Sequence, residues 1–546
     1  MKKQLLVDKS MLPYPTKEGG TPVWFTLWEG DRILFKFYTF LNFKTPEVWH
    51  YCDMTRWTGK TVTLEVECDG MTEEEFASLQ LADTFPGYEE IYTNPLRPQL
   101  HFSFRRGILN DPNALFYCGG VYHMFLQHQP YTNDWGDWQE LCNFGWGHAV
   151  STDLCHWQEL SDALWPDELG PAFSGTGLED VHNVSGLQQG EQPPLLIYYT
   201  AAGGKGIRTM HLKHTQCLAY SVDGGRTFRK YAGNPIVPNY DIGNRDPKVF
   251  YHEKTGKWLM LLYTDHDEKY LILTSDDLLH FTLTSEYKWT NGEHECPNLF
   301  ELPVEGENRR QMILSGVTGT YMAVEFDGTA IRSLSEPRSI HQGGSYQAMQ
   351  LMPLPDGRQL SFYCYHYNRE SSGFSNCCGV PNELTLYHEN GTYYLHCWPM
   401  RELEHLYTSR TPMQEEYLDG WKTLACDELL DIELEADAGQ RLELEVRGVR
   451  VTVDGKTGEL TVSPVTVGGA ARTVLRDPHR CHLRLLSDRG LLCLYEKNSH
   501  LIMPLQVDQT EDMTLRVYGR GAHVTGGEIR TLSSLWETEK TPSAPA

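Results

Sequence analysis

Three acids standing at the heads of three similar strands constrain this chain more than any other feature. Asn110-Asp111-Pro112-Asn113 runs through Phe116 into the aromatic strand Val121-Tyr122-His123-Met124-Phe125. Asp246-Pro247-Lys248-Val249-Phe250 repeats the unit ahead of the apolar run Trp258 to Tyr263, and Glu295-Cys296-Pro297-Asn298-Leu299-Phe300 gives a third version. Alone, each acid reads as a turn residue capping backbone N–H groups, because Asn, Asp and Pro are common turn formers. Recurrence changes that reading. A second repeat runs beside the first: Ser151-Thr152-Asp153 is followed by Trp157, Ser221-Val222-Asp223 by Phe228, and Ser275-Asp276-Asp277 by Phe281. Together they describe a module of about four short strands, repeated over residues 99–410. Circular stacking of such modules is a β-propeller, which leaves only short, protected edges, and four or five blades fit the length. The opening strand of a blade lines the central channel, so acids heading three of them converge at one end of the axis.

The rest of the chain frames that repeat. At 546 residues it exceeds one ordinary core, and an all-β chain in several parts is expected. Residues 1–98 form a small β domain, with alternating strands at Ile33 to Phe40 and Thr61 to Glu67 and a Trp- and Tyr-bearing connection, Pro46 to Trp57, between them. Thr72-x-x-Glu75 is a capping box opening one short helix over Phe76 and Leu79. Pro95-Leu96-Arg97-Pro98 reads as a linker. After the propeller, residues 418–537 alternate without the repeat and read as a β-sandwich in which Leu535-Trp536 pins the last strand. Residues 538–546 read as a disordered tail.

Composition excludes some partners. The chain carries 47 basic against 73 acidic residues, a net charge of −26. Nucleic acid and anionic membranes both need basic surface, so neither is expected as a partner. The apolar run after Met1-Lys2-Lys3 is three residues long, short of a signal peptide's core of roughly seven to fifteen. No stretch approaches the ~20 apolar residues of a membrane helix. The fourteen cysteines show no Cys-x-x-Cys pair, and they read as mostly buried, reduced thiols in a cytoplasmic protein. His123, His128, His148 and His156 lack tight ligand spacing and read as core or hydrogen-bonding histidines, so no metal is expected. The oligomeric state is not legible.

Paired carboxylates that act on a sugar need two environments. One stays ionised to attack the anomeric carbon, and the other holds a proton for the leaving oxygen. Asp111 sits in a polar turn expected to keep it ionised, and Arg245 is expected to do the same for Asp246. The less polar neighbours Cys296 and Pro297 are expected to favour a protonated Glu295.

These residues resemble glycoside hydrolase family 32, the β-fructofuranosidases that include invertases, inulinases and levanases. Asn110-Asp111-Pro112-Asn113 is similar to the family's nucleophile motif, Arg245-Asp246-Pro247 to its transition-state-stabiliser motif and Glu295-Cys296-Pro297 to its acid/base motif. Tyr122 to Gln127, Trp146 to Ser151 and Phe173-Ser174-Gly175 also fit, in the family's order. The resemblance implies a five-bladed propeller with a funnel-shaped site that hydrolyses terminal β-fructosides with retention. It makes Asp111 the nucleophile, Glu295 the acid/base and Asp246 the transition-state stabiliser. Asn110, Gln127, Ser174 and Arg245 match positions that hydrogen-bond the fructosyl unit, and Phe173 and Tyr346 complete the candidate substrate-binding set.

The implied ligand is a fructose-containing oligosaccharide, and no cofactor is needed. A fructosyltransferase or difructose-anhydride enzyme on the same fold, or an inactive carbohydrate-binding protein, are the alternatives. Several positions depart from the family pattern: Ile108 stands in place of Trp, Ala114 in place of Gly and Asn298 in place of Asp. An insertion carries Trp135 and Trp138, candidates to stack on a sugar ring, and Leu141 to Gly145 follow it. These departures are expected to reshape the pocket mouth.

Overall fold

A computed structural model describes every residue except 133–136, 138, 242, 290–294, 369–371, 467–468 and 537–546. Trp135, Trp138 and the 538–546 tail therefore lie outside the described residues. The architecture is all-β, with one α-helix, Glu73–Ser78, among the described residues. Each repeat of the sequence is an antiparallel four-stranded blade. Blade 1 comprises Gly107–Cys118, Val121–Gln129, Gly145–Ser151 and Gln158–Leu164. Blade 2 comprises Ala172–Glu179, Leu195–Ala202, His214–Ser221 and Arg229–Lys230, and blade 3 Arg245–His252, Lys257–Thr264, Lys269–Ser275 and Thr282–Lys288. Blade 4 opens with Asn298–Pro303 and blade 5 with Gln347–Pro353, the latter continuing through Gln359–Asn368, Asn382–Glu389 and Thr392–Pro399.

The Ser-x-Asp units are the turns from third to fourth strand in blades 1 to 3. Ser151 Oγ accepts from Leu154 N (2.9 Å), Ser221 Oγ from Gly225 N (2.9 Å) and Ser275 Oγ from Leu278 N (3.0 Å). Asp153, Asp223 and Asp277 each accept further backbone N–H groups of the same turns. The repeat thus recurs because each blade must satisfy the same exposed turn donors.

The inner strands are stitched to one another around the axis. Gly175 N donates to Asn113 Oδ1 (2.9 Å), Val249 N to Thr176 Oγ1 (3.0 Å) and Asn298 Nδ2 to Met349 O (2.7 Å). Lys248 Nζ reaches from blade 3 to Gln350 Oε1 of blade 5 (3.3 Å). The ring is closed by Phe374–Cys378, which pairs antiparallel with the second strand of blade 5 and parallel with Gly107 and Ile108 of blade 1. Asn376 Nδ2 donates to Leu109 O (2.9 Å) across the same joint.

The N-terminal sheet contains Lys2–Leu6, Met11–Glu29, Arg32–Leu41, Val48–Asp53 and Thr61–Glu67. Val48–Asp53, read from sequence as a connection, is a strand: it pairs with Met11–Thr16, where two prolines hide the strand pattern. The helix forms as expected, with Thr72 and Glu75 capping each other reciprocally. This sheet shares its core with blade 1. Phe37 stacks on Tyr131 with ring centroids 4.5 Å apart, and Thr39 Oγ1 donates to Tyr131 O (2.7 Å).

Pro95 to Pro98 is not a free linker. Arg97 is fully buried, and its guanidinium donates to Ile91 O, Ser103 Oγ, Phe104 O and Arg105 O while its plane faces Phe374. Four of its five rigid donors meet three carbonyls and a hydroxyl, which explains how a charge is tolerated there.

The C-terminal sandwich is joined to this same segment. Asp488 accepts from Gln99 N, Leu100 N and His101 Nδ1, each at 2.8 Å. Trp536 Nε1 donates to Pro98 O (3.0 Å) and its ring stacks on Tyr92, so the terminal Trp pins the chain entering the propeller.

Candidate active site

The inner strands reach their acids through backbone irregularities. In Gly107–Cys118 the pairing register slips between Leu109 and Pro112 and again between Asn113 and Phe116, and Ala114 has φ 38°. Blade 3 slips between Arg245 and Lys248, with Asp246 at φ 62°, and Cys296 has φ 49° just before blade 4. Left-handed backbone is uncommon for residues with a Cβ and costs on the order of 1–3 kcal/mol. Bulges of this kind re-aim side chains, here toward the end of the channel. Pro247 falls inside the blade 3 slip, where its missing N–H costs no ladder bond.

Cys296 ties the three acids together. Its N–H donates to Asp246 Oδ2 (3.0 Å), and its Sγ stands 3.6 Å from Asp111 Oδ2 and 3.7 Å from Asp246 Oδ2. Asp111 Oδ2 also accepts from Ser174 Oγ at 2.5 Å. Asp246 is held from behind, its N–H donating to Thr200 Oγ1 (2.9 Å). Arg245 donates from Nε to Glu295 Oε1 (3.2 Å), with Nη2 on the same oxygen. Its Nη2 also reaches Asp265 Oδ1 (2.7 Å), and its Nε lies 4.0 Å from Asp246 Oδ2.

Burial sets the electrostatics. Loss of water pushes the Asp111 carboxyl up to about 6; the Glu295 charge adds to this, and the Ser174 and Cys296 hydrogen bonds oppose it. The polar turn expected around Asp111 is thus a desolvated one, although the group is ionised at neutral pH. Asp246 is raised too, first by burial and then by the nearby Glu295 and Asp111, against the pull of Arg245. Arg245 pulls the Asp246 carboxyl down as expected, but the loss of water outweighs that pull, and the guanidinium's closest contacts go to Glu295 and Asp265. The apolar setting expected for Glu295 is also absent: its side chain is 45% exposed and paired with Arg245.

Of the other sequence candidates, Asn110, Gln127 and Ser174 form one chain. Asn110 Nδ2 donates to Gln127 Oε1 (3.0 Å), and Gln127 Nε2 to Ser174 Oγ (2.9 Å). Phe173 faces His214 edge-on at 5.8 Å and packs with Ile108, Cys142, Phe144 and Ala202. That cluster accounts for Ile108: the residue is buried, and Cys142 and Phe144 of the post-insertion segment fill the volume beside it. Tyr346 does not join the site. Its ring is buried in the largest core cluster, stacked 4.1 Å from Tyr363, with its hydroxyl donating to Ser361 Oγ. Asn298 is buried and donates its amide to Met349 O, which an ionised Asp could not do.

Sequence reasoning missed Thr200, Asp265 and Cys364, whose Sγ lies 3.7 Å from Asn110 Oδ1. None sits in a repeated motif; the signal for Cys364 is its place on an inward-facing position of an aromatic strand. The histidines take structural roles: His123 and His148 hydrogen-bond each other, His128 pairs with Asp162 and His156 with Asp153. Among the described residues, no group of three or more His, Cys, Asp or Glu could hold a metal ion, and no helix is long and apolar enough to cross a membrane. All fourteen cysteines are free thiols.

Comparison with known proteins bears on what these acids do. The model of the Glycosyl hydrolases family 32 N-terminal domain matches residues 101–399. A levanase of Bacillus subtilis is 38% identical over 322 residues, covering 54% of this chain and 45% of its own. An extracellular exo-inulinase of Aspergillus niger is 36% identical over 272 residues, covering 44% of this chain and 50% of its own. The chain thus spans about half the length of these curated relatives. The crystal structure of exo-inulinase from Aspergillus awamori superposes with a TM-score of 0.71 over 82% of this chain and 100% of that one, at 23% identity, a likeness of fold.

Proposed function

Because this chain belongs to glycosyl hydrolase family 32, we propose that it is a retaining exo-β-fructosidase cleaving terminal β-D-fructofuranosyl units from sucrose or from inulin- or levan-type oligosaccharides. The observation that carries this reading is the convergence of Asp111, Asp246 and Glu295 around Cys296 at one end of the propeller axis. The printed names of the relatives, levanase and exo-inulinase, support the substrate class.

In this reading Asp111, ionised above about pH 6, attacks the anomeric carbon and forms a fructosyl-enzyme ester. Glu295, reachable from solvent, protonates the departing oxygen and then deprotonates the water that hydrolyses the ester. Asp246, buried and fixed by Cys296 N, accepts hydrogen bonds from fructose hydroxyls that tighten as positive charge develops on the ring. Asn110, Gln127 and Ser174 present amide and hydroxyl groups to the same sugar, and Arg245 orients Glu295. Carboxylates and hydrogen bonds suffice for an oxocarbenium-like transition state, so no cofactor enters.

The same reading divides the chain at 1–98, 99–410 and 418–537, supported by the sandwich's own apolar cluster and by an N-terminal cluster that draws in Tyr131 and Trp165 from beside blade 1. The test is incubation with sucrose, inulin- and levan-type oligosaccharides and a difructose anhydride, followed by identification of the sugars formed. Release of free fructose from chain ends supports the reading. No release from any of them overturns it, and longer oligosaccharides in place of free fructose would point to transfer.

A further inference from the structure

The nucleophile candidate is the end of a hydrogen-bond chain that begins at a thiol of the adjoining blade 5. Cys364 Sγ lies 3.7 Å from Asn110 Oδ1, Asn110 Nδ2 lies 3.0 Å from Gln127 Oε1, Gln127 Nε2 lies 2.9 Å from Ser174 Oγ, and Ser174 Oγ lies 2.5 Å from Asp111 Oδ2. The links come from blade 5, blade 1 twice and blade 2. Cys364, Gln127 and Ser174 are all at least 96% buried, so water does not compete for the inner links.

Donor counting gives the chain one direction. An ionised carboxylate only accepts, so the single hydroxyl proton of Ser174 goes to Asp111. Ser174 must then accept from its other neighbour, which fixes Gln127 with its NH2 toward Ser174 and its oxygen toward Asn110. Asn110 in turn must offer its NH2 to Gln127 and turn its own oxygen to Cys364. Only the thiol proton remains to meet that oxygen. Two amide orientations and one hydroxyl rotor are therefore set by the two ends: an acceptor at Asp111 and a donor at Cys364.

We propose that Cys364 is a positioning residue for Asp111, the terminal donor that holds this chain in the polarity delivering the Ser174 proton to the attacking carboxylate. The proposal rests on the reading of Asp111 as nucleophile. Without a donor at position 364, Asn110 Oδ1 faces no partner in a half-buried place, an unfavourable arrangement. The relief is an amide flip of Asn110, which forces Gln127 to flip, which presents an oxygen to Ser174 and draws the hydroxyl proton away from Asp111. A change at the far end is thus read at the reacting oxygen, and also at the amide faces offered to the sugar.

The test compares Cys364→Val, which keeps shape and loses the donor, with Cys364→Ser, which keeps the donor. The charged and titratable groups facing Asp111 are Asp246 with Arg245 from blade 3, Glu295 and Cys296 at the entry to blade 4, and Cys364 itself from blade 5; both variants leave the first four in place. Because the Ser174 bond favours the ionised form, its loss moves the acid limb of kcat/KM upward by about half a unit or more. The valine variant is expected to lose roughly three- to tenfold in kcat/KM, and the serine variant to recover both the rate and the acid limb.

Carbon-13 titration of the Asp111 carboxyl, assigned by its disappearance in Asp111→Asn, reads the same shift without turnover. A protein that releases no fructose therefore still tests this inference. Equal acid limbs and equal carbon-13 midpoints for wild type and Cys364→Val overturn it. So does a serine variant that behaves like the valine one, which would reduce Cys364 to a space-filling side chain.

Discussion

The two sides of the site solve opposite problems. On the side of blades 1, 2 and 5, Asp111 is desolvated and touched only by neutral donors, Ser174 Oγ and Cys296 Sγ. On the side of blades 3 and 4, Glu295 is nearly half exposed and gripped by a guanidinium. The first arrangement makes a carboxylate short of solvation and therefore reactive. The second keeps a carboxyl open to water and anchored to Arg245. Residue type does not separate the roles; depth and the charge of the partner do.

Exchanging the deep acid should have the largest effect. Asp111→Asn is expected to lower kcat by several orders of magnitude, measured as fructose release. The same change is expected to stabilise the fold. Since the folded Asp111 titrates near 6 against ~3.9 for an unperturbed Asp, its contribution to stability is fully present below the unfolded value and is lost as pH rises through 6. A neutral Asn escapes that loss, worth on the order of 1–3 kcal/mol at pH 7. Thermal unfolding at pH 7 and pH 4 checks it: the gain in Tm belongs to the higher pH.

Glu295→Gln attacks the other side. It should cost about 10²–10⁴-fold with little change in Tm, since the acid is exposed, and exogenous azide or formate should restore part of the ester hydrolysis. For the unaltered protein, kcat/KM should fall about tenfold per pH unit below pH 6 as Asp111 takes up its proton. An acid limb nearer pH 4 would erase the distinction between the two sides.

The smallest expected effect concerns the bulge that aims Asp111. Ala114 holds φ 38°, a backbone setting that suits glycine. Ala114→Gly should raise stability by roughly 0.5–1 kcal/mol with kcat unchanged, read by denaturant unfolding. A loss instead would mean that the Ala114 methyl, which packs in the blade 1 and 2 core, outweighs the strain.

The sequence made the site legible where it repeats itself. Asp111, Asp246 and Glu295 stand out because each heads the same strand of its blade, and Ser151, Ser221 and Ser275 because each closes the same turn. What it hid was non-local. Nothing near Asp111 reports that burial raises its carboxyl, because the covering residues come from blades 2, 4 and 5. Arg97 looked like linker because its carbonyl partners carry no side-chain signature. Tyr346 lies near the blade 5 inner strand, where the sequence does not say which way its ring turns. Cys364 belongs to no motif, and its meaning appears only when Asn110 folds against it.

The strand Phe374–Cys378 carries a further consequence. It lays the end of the fifth blade beside the first, so that Asn376 meets Leu109 after an excursion of 267 residues. Contacts of such long sequence separation form late and slowly, since the entropy of bringing distant segments together precedes any reward. Cys364 and Asn110 meet only across that joint. During synthesis Asp111, the proposed nucleophile, therefore emerges early but lacks its blade 5 neighbours until that blade arrives, and a chain cut off before residue 374 should carry all three acids without a working site.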